Sequence, residues 1–214
     1  MDIYSRPPTL VGRFDDIRLP EFMHYLYLPV KMEGGYCYPR LPPNLECVRS
    51  MVEEAWVWAG RQGRFFQYVY VSARRGWATP GNSLNRPGWH CDGFGTNDLN
   101  FLWWLGDGTR FALQKFEGIP TDHVQSMVEI EKQVRPGNVR SFAPGYLYGV
   151  DKTHVHATPE VVRAHERQFV KISLSNDPYN LDGNSHNHLF DYDWPMVRRG
   201  EIRNDPFKAQ KDSA

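Results

Sequence analysis

LNFLWWLGDGTRFALQKF, residues 99–116, contains a largely apolar run, 99–105, and a mixed run, 109–116, separated by Gly106, Asp107 and Gly108. Runs of this length with turn residues between them predict two strands. Upstream lies RFFQYVYVSARRG (64–76), in which Phe66, Tyr68 and Tyr70 alternate with Gln67, Val69 and Val71, the pattern of a strand buried on both faces or nearly so. Downstream, NVRSF (138–142), YLYGV (146–150), KTHVHAT (152–158) and RQFVKISLS (167–175) predict further strands, with Pro144-Gly145 as a turn. Val48, Met51, Val52, Ala55, Trp56 and Ala59 recur at helical spacing over 43–62, and TDHVQSMVEIEKQ (121–133) opens on Thr121 and Asp122 as helix caps. The first 40 residues are broken by Pro7, Pro8, Pro20, Pro29, Gly34 and Gly35 and read as loops with one or two short strands around Tyr25 to Val30.

Many short strands with frequent turns, and helices ahead of the sheet, predict a mainly β protein: a double-stranded β-helix (jelly roll, cupin-like) with flanking α-helices. Its 214 residues suit a single domain, with an N-terminal extension over 1–63, a jelly-roll core over 64–176 and a tail over 177–214. Seven Trp, eleven Tyr and twelve Phe, with 16 Pro and 18 Gly, favour strands and turns over a helical bundle.

Lys plus Arg number 25 and Asp plus Glu 25, so no excess of charge attracts a polyanion, which disfavours nucleic acid as a partner. No apolar run approaches 18 residues and none of signal-peptide length stands in residues 1–30, so neither a membrane span nor export is expected. Cys37, Cys47 and Cys91 are an odd number without paired spacing, which predicts reduced thiols and a cytoplasmic location.

His90-Cys91-Asp92 places two potential metal ligands two residues apart, on one face of an extended backbone. A third arrives from HVHATP, where His154 and His156 share a face of a predicted strand. Two imidazoles and one carboxylate suit Fe(II) with open coordination positions, whereas zinc more often takes a closed tetrahedral set. Cys91 is expected to point away and pack as a small hydrophobe. Arg167 and Lys171 follow on the strand RQFVKISLS, sharing a face with Phe169 and Ser173. Cations facing a sheet interior require an anion, and a dicarboxylate is such a partner. The blander reading of Arg167 is a solvated strand end paired with Glu166 or Glu160.

His90-x-Asp92, a distal His in an HxxP segment (His156-Ala157-Thr158-Pro159), a basic residue on the last core strand, and PGYLYGVDKTHVH ahead of it together resemble the Fe(II)/2-oxoglutarate-dependent dioxygenase superfamily over roughly residues 64–176. The resemblance implies iron held by His90, Asp92 and His156, with His154 as the alternative distal ligand. It also implies 2-oxoglutarate as co-substrate, its distal carboxylate on Arg167 or Lys171. Ser173, Thr109 and Tyr146 are further candidates to contact it. The implied reaction consumes O2, releases succinate and CO2, and by default hydroxylates a small-molecule or peptide substrate. Trp89, Phe94, Trp103 and Trp104 are candidate pocket walls, and Asn97 and Asn100 candidate polar lining. Other classes fit the same residues: a cupin-type metalloenzyme without 2-oxoglutarate, or a non-catalytic jelly-roll binding module. His186-Asn187-His188 repeats the paired-histidine spacing in a polar tail and reads as solvated loop.

Overall fold

The computed structural model describes residues 1–34 and 38–198; Cys37 lies outside them. The chain runs β1 (Ile3–Tyr4), β2 (Thr9–Arg13), β3 (Met23–Lys31), a 3-10 turn (Pro43–Val48), α1 (Arg49–Arg61), β4 (Tyr68–Ala78), β5 (Leu99–Leu105), β6 (Arg110–Ala112), β7 (Lys115–Phe116), α2 (His123–Gln133), β8 (Val139–Ser141), β9 (Tyr146–Val150), β10 (His156–Ala157) and β11 (His165–Ser175). Six strands form an antiparallel sheet in the order β2-β9-β5-β11-β4-β3, and three form a smaller sheet, β10-β6-β8. His90 adds itself to β10 as an isolated antiparallel bridge. In chain order, β4, β5, β9 and β11 enter the larger sheet while His90, β6, β8 and β10 enter the smaller one. The chain therefore winds between two sheets, which is the double-stranded β-helix.

Strand parity explains how the layers pack. Leu99, Phe101 and Trp103 of β5 join Val69 and Val71 of β4, and Val170, Ile172 and Leu174 of β11, against the buried side of α1. The other parity, Leu102 and Trp104 with Tyr148 and Val150 of β9, packs between the sheets against Phe111. Ile172 is fully buried at the centre of the first layer. Ile172→Ala is expected to lower unfolding stability by about 2–5 kcal/mol, read from urea unfolding curves.

Several local readings change. The expected strand 109–116 is two strands, because the chain turns at Leu113 and Gln114 so that β7 pairs with β1 instead of β8. The expected strand 152–158 shrinks to His156–Ala157, because Asp151 holds a turn: its carboxylate accepts from the Thr153 amide at 2.9 Å and its carbonyl from the His154 amide at 3.0 Å. Helix α2 lies between β7 and β8 instead of ahead of the sheet, and Asp122 caps it by accepting from the amides of Val124 and Gln125. At the N-terminus, β2 and β3 are the two edges of the larger sheet. Pro29 is tolerated inside β3 because an edge strand needs hydrogen bonds on one side only.

Candidate metal centre

His90 and His156 face each other as a hydrogen-bonded antiparallel pair, each amide donating to the other's carbonyl at 2.9 Å. Their ring centroids are 4.6 Å apart. The Nδ1 atoms of His90 and His156 each lie 2.9 Å from a backbone carbonyl, of Gly88 and His154 respectively. A carbonyl only accepts, so each Nδ1 carries a proton and Nε2 is the ring nitrogen left to face a metal. Two residues on from His90, Asp92 turns back to the same place, its Oδ2 3.4 Å from His156 Nε2. One ligand atom from each of His90, Asp92 and His156 lies within 4.8 Å of the other two.

Lys171 shapes this group. Its Nζ donates to Asp92 Oδ1 at 2.8 Å and to the Tyr27 hydroxyl at 3.1 Å. Burial favours the neutral form of Asp92, but the Lys171 ammonium outweighs it and holds the carboxyl well below its ordinary range. Burial, then the neighbouring His156 and Arg86, holds His90 well below the ordinary imidazole value, so that it is neutral. For Lys171, burial is opposed by Asp92 and Tyr27, and the ammonium is raised above its ordinary value. A neutral imidazole at His90 and an ionised carboxylate at Asp92 are protonation states that ligate a divalent ion.

The group opens into a cavity of about 510 Å³. Arg167, also in its lining, is 1% exposed, which overturns the solvated strand-end reading; Glu166 is taken by Arg75 and Glu160 by Arg110. The Arg167 guanidinium donates from Nε to the Asp107 carbonyl at 2.9 Å and from Nη1 to the Ser83 carbonyl and Asn85 Oδ1, both at 3.2 Å. Its Nη2 is buried with no partner among the described residues. Burial pushes its pKa down to about 10, which leaves it a cation at neutral pH.

The other expected residues divide. Thr109, Phe94 and Asn100 line the cavity. Ser173 does not: its Oγ donates to Asn100 Oδ1 at 2.6 Å, which fixes the amide and leaves Asn100 Nδ2 buried and unpartnered. Tyr146 lies at the start of β9, over Arg13 and away from the cavity. Trp103 faces α1 by strand parity and bonds the Phe14 carbonyl, Trp104 stacks on Tyr148, and Trp89 sits under Arg110, so none of the three walls the cavity. Asn97 accepts from Lys152 outside the cavity. Cys91 is buried beside Trp89, facing the smaller core. His154 pairs with Asp151 at 2.9 Å and stands outside the metal group. His186 stacks on Tyr192, and the His186–His188 pair gathers no third ligand among the described residues. Sequence reasoning passed over Tyr27, Arg74 and Tyr179, which also line the cavity. Nothing in their local sequence sets them apart.

No family profile and no curated protein sequence matches the chain. Among solved structures it is similar to EvdO2 from Micromonospora carbonacea var. aurantiaca, at 14% identity over 63% of this chain and 60% of that one, with a TM-score of 0.37. It is similar to an oxidoreductase of the 2OG-Fe(II) oxygenase family from Burkholderia pseudomallei, at 17% identity over 70% of this chain and 67% of that one, TM-score 0.38. It is also similar to AviO1 from Streptomyces viridochromogenes Tue57, at 17% identity over 76% of each chain, TM-score 0.40. No helix among the described residues is long and apolar enough to cross a membrane.

Proposed function

We propose that this protein is an Fe(II)- and 2-oxoglutarate-dependent oxygenase that hydroxylates an unactivated C–H bond of a small-molecule or peptide substrate. One observation carries the proposal: half-buried His90 and Asp92 and buried His156 open as a group into the same cavity as Arg167, a buried guanidinium whose Nη2 has no partner among the described residues. Three protein ligands leave coordination positions open, as oxygen activation requires. When bound, iron and 2-oxoglutarate together supply the oxidant, consuming O2 and releasing succinate and CO2.

The chain's own groups bind and orient. His90 and His156 present Nε2, held in place by their Nδ1–H bonds to backbone carbonyls. Lys171 takes Oδ1 of Asp92 and so directs Oδ2 toward the histidines. Arg167 Nη2 offers a charge-assisted hydrogen bond to the distal carboxylate of the co-substrate. Asn100 Nδ2 and Thr109 are further polar groups in the cavity lining, and Phe94 and Phe169 supply apolar wall that limits water.

The test is anaerobic purification, iron titration, and measurement of succinate after addition of Fe(II), 2-oxoglutarate and air. Iron binding near one equivalent and succinate release dependent on both additions are expected. No iron binding sinks the proposal, and iron binding without 2-oxoglutarate consumption moves the protein to metalloenzymes that act without it. His154→Ala is expected to keep its iron, because that ring is engaged by Asp151, whereas His156→Ala is expected to lose it.

A further inference from the structure

The oxygenase reading provides a position for each carboxylate of 2-oxoglutarate, one at the metal and one at Arg167. The protein's own charges in the cavity can be matched in the same way. Lys171 is engaged by Asp92. Asp98 accepts from the Tyr179 hydroxyl at 2.6 Å. Arg74 then remains. It lines the cavity from β4, and its one partner among the described residues is the Leu84 carbonyl, reached through Nη1. No carboxylate among the described residues pairs with it, and burial holds it below the ordinary guanidinium value. His24 stands directly across from it on β3 and also lines the cavity.

Register sets Arg74 beside the co-substrate's anchor but not on it, near enough that its charge helps to lower the Arg167 pKa. Arg74 is opposite Phe169 on β11, whereas Arg167 is opposite Gly76, two residues further along β4. A half-buried guanidinium without an acid is stable only with water or an anion against it. A dianionic co-substrate divided between the metal and Arg167 leaves no carboxylate of its own for Arg74.

We propose that the primary substrate carries an anionic group, a carboxylate or a phosphate, received by Arg74 with His24 beside it, while its body lies toward the metal along Tyr27 and Phe94. This rests on the oxygenase reading, which supplies the metal and co-substrate that fill the rest of the cavity. Arg74 here is a specificity-determining residue. Its planar fork matches the geometry of either anion.

The experiment is calorimetric binding under anaerobic conditions to the full chain loaded with Fe(II), with and without saturating 2-oxoglutarate. The probes are benzoate, phenyl phosphate and benzamide, alike in size and differing in charge. Benzoate or phenyl phosphate is expected to bind the 2-oxoglutarate-saturated protein at least about tenfold more tightly than benzamide. Which of the two binds better identifies the anion. Arg74→Gln is expected to weaken that binding by about tenfold or more while changing 2-oxoglutarate affinity by less than about twofold. Arg74→Lys keeps the charge without the fork and is expected to lose about threefold or more, which provides the measurement if the glutamine variant does not fold. Equal binding of benzamide, no binding of either anion, or unchanged binding in the Arg74 variants overturns the proposal. So does a tenfold loss of 2-oxoglutarate affinity in Arg74→Gln, which assigns Arg74 to the co-substrate. If 2-oxoglutarate does not bind the wild-type protein, the oxygenase reading fails separately, and the wild-type versus Arg74→Gln difference measured without it still decides the anion site.

Discussion

Asp92→Ala is expected to reduce ferrous iron affinity by more than about 100-fold, since even the loss of an outer partner of a metal ligand reaches that size. The same change has a second effect that needs no metal. Lys171 is buried against Asp92, and removing the carboxylate strands its ammonium, with an expected loss of about 3–5 kcal/mol in the stability of the iron-free protein. Anaerobic iron titration and urea unfolding of metal-free samples measure the two effects separately. Asp92→Ala combined with Lys171→Met is expected to recover most of the stability and none of the iron. An Asp92→Ala protein that binds iron within tenfold of wild type would remove Asp92 from the ligand set.

Arg167→Met is expected to weaken 2-oxoglutarate by about 10- to 100-fold, the range for losing a hydrogen bond to a charged group, and to leave iron affinity within about threefold. The geometry makes this selective, because Arg167 bonds Asp107, Ser83 and Asn85 and has no hydrogen bond to His90, Asp92 or His156. Lys171→Met is expected to give the opposite pattern. It frees Asp92 Oδ1 and so weakens iron by about 10- to 100-fold, the range for losing an outer partner of a metal ligand. Its effect on the co-substrate acts through the metal. Calorimetry of iron and of 2-oxoglutarate on both variants separates anchor from ligand support, and a Lys171→Met protein that loses only 2-oxoglutarate would exchange the two roles.

Local pattern made much of the scaffold legible. Strand β5 occupies Leu99–Leu105 as its apolar run predicts, and the 43–62 periodicity corresponds to a 3-10 turn running into α1. These signals are strong because both faces of β5 and one face of α1 are buried. Pairing across long sequence distances was not legible. Strand β3 contains Pro29 and two register shifts, so its alternation is interrupted although β4 holds it in place. For the site, the two-residue spacing of His90 and Asp92 was readable, because same-face geometry is a local property. The placement of Ser173 and Tyr146 was not. Strand parity gives a side chain's face but not which end of the sheet it occupies, nor whether a neighbour such as Asn100 has already engaged it. Arg74 and Tyr27 left no trace, since their roles depend on what β11 places beside them.

The reciprocal amide bonds between His90 and His156 would join the proposed metal capture to the closing of a sheet edge. Before residues 88–92 dock on β10, a chain would present His90 and Asp92 without His156 and could grip an ion with two donors only. Opening that edge in the loaded protein would require giving up a ligand as well as two hydrogen bonds, so its opening free energy rises by part of the metal-binding energy. Iron would act as a rivet through the margin of the smaller sheet. Hydrogen exchange at the amides of His90 and His156 would slow when it is added, and those amides would be the first to exchange when it is withdrawn.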